Sequence, residues 1–140
     1  MDSRLSSRNA KAFILGGKAT VTVKSTHTGR RFTYRVNRSR DKSVYFVSVL
    51  RQGRYDYIGL IGHQRDTMRI TKNSALTPDA LSVQAFRFTL DHVINDQLPS
   101  GYEVWHHGQC CVCGRQLTVP ESIAKGIGPV CASRRRYRYA

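Results

Sequence analysis

Four cysteines stand at 110, 111, 113 and 131, close behind two histidines at 106 and 107. Cys110-x2-Cys113-Gly114 has the spacing of a metal knuckle. Two residues between the cysteines and a glycine after them let both thiolates reach one tetrahedral ion, while the turn aims backbone N–H groups at sulfur. Cys131 follows after 17 intervening residues. The stretch Gly126-Ile127-Gly128-Pro129-Val130-Cys131 reads as the end of one short helix and the start of another, with Gly128 as cap and Pro129 in the first helical position. Cys131 then falls in a first turn, where the helix dipole and free N–H groups stabilise a thiolate. The expected site is Zn2+ on Cys110, Cys113 and Cys131 in a treble-clef-like finger, with His106 as the fourth ligand. His107 is close enough to replace it, and Cys111 could enter the tetrahedron only by distorting the knuckle. No carboxylate with the spacing of a zinc-hydrolase base stands beside the cluster, so the ion reads as structural.

The rest of the chemistry is cationic. The chain has 140 residues, 23 Lys+Arg against 9 Asp+Glu, a net charge of +14 and a pI of about 10.3. That length fits one domain, or one with a small appendage, and 40% hydrophobic residues exclude a wholly disordered basic chain. Residues 1–60 carry +10, residues 61–109 carry −1 and residues 110–140 carry +5. Arginine outnumbers lysine 17 to 6, and a guanidinium grips phosphate bidentately where an ammonium acts as a point charge. The expected nucleic-acid contacts are Arg30, Arg31, Arg35, Arg38, Arg40 and Lys42, with Arg134, Arg135, Arg136 and Arg138 in a basic tail. Tyr137 and Tyr139 in that tail could stack on unpaired bases. Phe32, Tyr34, Phe46 and Trp105 read as core.

The elements that must position these groups follow from hydrophobic period. Ala19–Lys24 alternates, as does Arg31–Val36, which puts Phe32, Tyr34 and Val36 on one face and Arg31, Thr33 and Arg35 on the other. Val44–Leu50, Tyr55–Ile61 and Met68–Ile70 complete an antiparallel sheet of about five strands, joined by turns at Thr26–Gly29 and Gln52-Gly53. Thr77-Pro78-Asp79-Ala80 predicts a helix start, and the stripes Leu81, Ala85, Phe88 and Phe86, Leu90, Val93, Ile94 predict a helix packed on the sheet to about Asn95. The fold class is therefore α+β, with a basic domain over residues 1–100, its first dozen residues without fixed structure, and a zinc finger with basic tail over 101–140. No window is apolar enough to span a membrane and the first residues lack a secretory apolar core, so a cytoplasmic setting is expected.

The run from Cys110 to Cys131 reads C-x-x-C-G-R-x-L-T-x-P-x-S-I-x-x-G-I-G-P-x-C. It resembles a small zinc-binding domain of uncharacterised function that recurs in bacteriophage and actinobacterial proteins. The segments around Thr28–Tyr34 and Tyr45–Leu50 also resemble the unit that often precedes this finger in phage proteins. The resemblance implies zinc and a phage or prophage origin. It assigns no catalytic residue.

Charge, arginine bias and zinc together lead to a nucleic-acid-binding protein, for DNA or RNA, that grips the phosphate backbone. The second reading is a small phage protein that inhibits a host protein or ribonucleoprotein, such as a defence complex. The third is a nuclease; His27, His63 and His92 are available, but without paired acids they form no recognisable catalytic motif, so no enzymatic activity is expected.

Overall fold

The structure, a computed structural model, describes residues 3–118 and 120–135. It is an α+β fold built on seven antiparallel strands rather than about five, in the order β1-β7-β2-β3-β4-β5-β6. The five expected strands are β2 (Lys18–Ser25), β3 (Arg31–Arg38), β4 (Tyr45–Arg51), β5 (Arg54–Ile61) and β6 (Met68–Arg69), paired as successive neighbours. Gln52 and Gly53 join β4 to β5 with φ of 51° and 82°, the two positive values of a type I′ turn, whose twist matches that of the strands it links.

Two strands were not anticipated. β1 (Ser3–Leu5) and β7 (Tyr102–His106) pair with each other, and β7 also pairs with β2, in the register Ser3↔His106↔Val21 and Leu5↔Val104↔Val23. The boundary expected after residue 100 therefore falls before a central strand of the sheet. The first dozen residues, expected without fixed structure, hold β1 and most of helix α1 (Ser7–Ile14). The Ser6 hydroxyl caps α1 by accepting from the Asn9 N–H at 3.2 Å, and the buried residues Ala10, Phe13 and Ile14 stand at i, i+3 and i+4.

Helix α2 (Leu81–Ile94) starts later than its signal. Thr77–Asp79 makes a turn closed by Ala80 N–H to the Thr77 carbonyl at 3.1 Å, and Ala80 caps the helix with no side-chain bond. Val83, Phe86, Leu90 and Val93 are buried, whereas the adjoining stripe is not core: Leu81 is 53% exposed. Helices α1 and α2 cover the same face of the sheet. Tyr34 of β3 donates to the Ser82 carbonyl of α2 at 2.6 Å and meets Phe86 edge-on at 4.9 Å, and Tyr45 of β4 donates to the Leu15 carbonyl just after α1 at 2.9 Å. Burial raises the Tyr34 phenol far above its ordinary range, so it stays a neutral donor.

The C-terminal segment folds onto the same core. Helix α3 (Pro120–Lys125) ends at Gly126, whose φ of 77° lies in the left-handed region and whose α-carbon faces the Phe13 ring of α1. An added Cβ would stand 2.3 Å from Phe13 Cδ2. Gly126→Ala should lower stability by more than the roughly 1–2 kcal/mol of left-handed backbone strain, because the ring must also move. A loss of unfolding free energy in urea smaller than that strain would show that α1 and the C-terminal segment are not packed as described.

Candidate metal centre

β7 ends at His106 and the chain turns into a short hairpin. Leu117 N–H bonds to the Gly108 carbonyl at 2.8 Å, Gln109 bridges Gln116, and Cys110 N–H bonds to the Arg115 carbonyl at 2.8 Å. At its tip, Gly114 N–H closes on the Cys110 carbonyl at 2.9 Å, and Gly114 takes φ of 79° to do so. This tight turn aims Cys110 and Cys113 at one point. The third cysteine arrives on helix α4 (Pro129–Arg135), where Pro129 holds the first position and Cys131 the third.

The sulfur atoms of Cys110, Cys113 and Cys131 all lie within 4.8 Å of one another, so the three cysteines can hold a metal ion. Cys110 is buried, Cys131 half-buried and Cys113 exposed. Burial alone would raise the Cys110 thiol. Backbone N–H donation from Gly128 at 3.3 Å, from Cys113 and from Val112 at 3.4 Å, together with the Cys113 thiol, outweighs it and holds the thiol below its usual range. Cys131 is pushed up to about 11, by burial first and then by the neighbouring sulfurs. A first thiolate is thus supported by the backbone while the next is opposed by crowding, which is the electrostatic situation a divalent cation relieves. Three thiolates form a soft donor set suited to zinc and similar ions. Among the described residues, no fourth His, Cys, Asp or Glu joins this group.

The expected fourth ligand, His106, lies elsewhere. It is fully buried on the helix-facing side of β7, stacked on Phe13 at 5.4 Å between ring centroids. Its Nδ1 accepts from the Gly108 N–H at 2.9 Å, and its Nε2 meets the Ile123 carbonyl of α3. Both nitrogens serve packing, and the accepting Nδ1 places the proton on Nε2. His107 points to the other face of the sheet, with Nε2 bonded to Thr22 Oγ1 at 2.8 Å. Cys111 is a buried wedge. Its carbonyl accepts from Lys18 N–H at 2.7 Å and its N–H donates to the Gly126 carbonyl at 2.9 Å. Its side chain fills the space left by Gly16, where a Cβ would stand 2.5 Å from Cys111 Sγ.

The basic residues expected to act together are dispersed. Arg31 and Arg35 are exposed on the face opposite the helices. Arg38 shares the parity of Tyr34 and Val36, so it turns to the helix side, its guanidinium 5.5 Å from the Tyr45 ring centroid. Arg30 lies in the β2–β3 turn. Arg40 and Lys42 flank Asp41 at the far end, where hydrogen bonds from Ser43 and Ser39 knot the loop and hold the Asp41 carboxyl down to about 2. The backbones of Arg134 and Arg135 extend α4, and Arg136, Tyr137, Arg138 and Tyr139 lie outside the described residues. His27, His63 and His92 stand apart, in the β2–β3 turn, after β5 and on α2.

Sequence reasoning missed the aromatic content of the face opposite the helices. Phe46, read as core, is 44% exposed there, and Trp105 is half-buried on the same face, with Nε1 donating to Glu103 at 3.1 Å. Tyr55 lies under the Arg35 guanidinium at 3.9 Å, and Tyr57 meets Phe46 edge-on at 6.2 Å. The signal was present in the alternation, since Phe46 opposes the buried parity of Tyr45, Val47 and Val49.

Cys113→Ser should lose the bound ion, whereas His106→Gln should keep it and instead lower stability by about 1–3 kcal/mol through its two lost hydrogen bonds; metal analysis beside a denaturation curve separates the two. Because bound thiols must be deprotonated, zinc loading should release protons and its affinity should fall as pH is lowered. A pH-independent affinity would exclude thiolate ligation.

No curated protein and no solved structure matches this chain. Residues 104–136, which span the end of β7, the cysteine hairpin and both short helices, match a family of unknown function, DUF6011.

Proposed function

We propose that the protein binds nucleic acid through the sheet face opposite its helices, with a zinc ion on Cys110, Cys113 and Cys131 holding the C-terminal finger in a treble-clef-like arrangement. One observation carries the reading: that face presents cations and aromatic rings with little opposing charge. Cross-strand register places Arg4, Lys24, Arg31, Arg35 and Arg69 on it. Its acid, Glu103, is already engaged by Arg4 at 3.4 Å. Phosphate neutralised by such a surface releases counterions, so binding is driven by charge and weakened by salt.

Zinc is favoured by the soft three-thiolate donor set and by the likeness to zinc-binding domains. Its contribution is to folding, since a site made of a hairpin tip and a separate helix has no preformed counterpart in the unfolded chain. A phage or prophage source, implied by the same likeness, would place the partner in a bacterial cell. The exposed arginines would equally meet an RNA-bearing complex of the host, and inhibition of such a complex is the competing account.

If the four or five cations of this face each neutralise one phosphate, affinity should fall about 10²- to 10³-fold between roughly 50 and 200 mM salt. Arg31→Ala and Arg35→Ala should each lower the magnitude of the log–log salt slope by about one, while Arg38→Ala, facing the helices, leaves it unchanged. Equal effects at all three positions would refute the assignment of the face. A host protein retained at high salt after nuclease digestion would favour the inhibitor account.

A further inference from the structure

This face holds a depression between β7, β2 and β3. Thr22, Lys24, Arg31, Thr33, Trp105 and His107 line a pocket of about 300 Å3, at the lower end of the volumes that bind small planar ligands. Its floor is a polar row: Thr22 Oγ1 bonds to Thr33 Oγ1 at 2.7 Å and to His107 Nε2 at 2.8 Å. Trp105 is the cross-strand partner of Thr22 and forms an aromatic wall. Lys24 and Arg31 are partners one pleat further along, which puts their α-carbons about 7 Å from the Trp105 row, at roughly 3.4 Å per residue. Their long side chains are within reach of the backbone phosphate of a base seated against Trp105.

We infer that this pocket seats one nucleotide of a single strand, with the base against Trp105 and the phosphate on Arg31 and Lys24. The inference rests on the nucleic-acid reading above and narrows it to unpaired substrate. A seven-stranded face, about 30 Å across at 4.8 Å per strand, cannot enter a major groove about 12 Å wide, which admits one helix or a two-stranded ribbon. A single strand can cross it, stacking successive bases on rings. Phe46 and Tyr57 supply further rings three and four strands from Trp105, and Arg35, stacked on Tyr55, lies between them and the pocket.

Trp105 is the sole tryptophan of the chain, so its emission reports on this pocket alone. The full-length, zinc-loaded protein is titrated with a single-stranded ribo- or deoxyribo-oligonucleotide, with the same oligonucleotide annealed to its complement, and with inorganic polyphosphate. The single strand of either sugar should quench Trp105, and the duplex and polyphosphate should not. Trp105→Ala should weaken single-strand binding about 5- to 150-fold, the equivalent of one stacked base, and leave polyphosphate binding unchanged. Trp105→Phe keeps a ring at the site and should retain most of the affinity. Duplex binding as tight as single-strand binding, without quenching and unaffected by Trp105→Ala, would overturn this inference while leaving the nucleic-acid reading intact. No salt-dependent binding of any of the three probes would overturn both.

Discussion

The double pairing of β7 is the contact from which the other features of the molecule follow. A strand from late in the chain lies between β1 and β2, both from its beginning, and makes backbone hydrogen bonds on both edges. A central strand leaves no unpaired backbone edge to solvate, so this one insertion closes the sheet across nearly the whole sequence. Its inward residues, Val104 and His106, are buried, and the Phe13 ring of α1 on which His106 stacks also packs on Gly126 beyond α3. The hairpin that carries Cys110 and Cys113 therefore starts from a fixed point. Cys111 anchors it again through Lys18 on one side and Gly126 on the other.

Sidedness is the second constraint. Two helices give the sheet one apolar face, on which Tyr34 and Tyr45 satisfy their hydroxyls with backbone carbonyls. The opposite face is held by contacts between strands that leave one side to solvent: Thr22 with Thr33, Phe46 with Tyr57, and Arg35 with Tyr55 two strands away. Such pairs tolerate solvent on one side, which leaves arginines and rings accessible where an apolar face would need a covering layer. The positive charge of the first 60 residues is thus divided by the strand pleat. Alternate residues of β3 point to opposite faces, so Arg31 and Arg35 share one side while Arg38, of the other parity, does not.

Much of the fold was legible because the apolar residues of strands β2 to β4 alternate and short turns join these strands and β5. Strands β1 and β7 were not. β1 has three residues, too few for a period, and the inward row of β7 contains His106, which reads as a ligand in sequence and behaves as a hydrogen-bonded core residue in the fold. Helix α2 carries two apolar stripes, and sequence alone gave no reason to bury one and leave the other at the surface. The packing of β3 against α2, through Tyr34, Phe86 and Ser82, makes that choice. In the candidate site, the knuckle and Cys131 were readable, whereas Cys111 as a wedge was not, because its role depends on Gly16, a residue remote in sequence.

The sequence by itself determined the three-cysteine cluster, since a two-residue gap followed by glycine shapes its own turn and Pro129 starts the helix that presents Cys131. It also determined that the chain is basic and rich in arginine. Only the tertiary structure decided which histidine is core, which arginines share one surface and which rings accompany them. Those outcomes depend on register, a non-local property. β5 has one extra residue, Ile58, opposite the Val47–Ser48 step, and this bulge puts Tyr57 and Leu60 on the same face although their numbers differ in parity. A shift of one residue in any of these pairings would send the side chains of that strand to the opposite face.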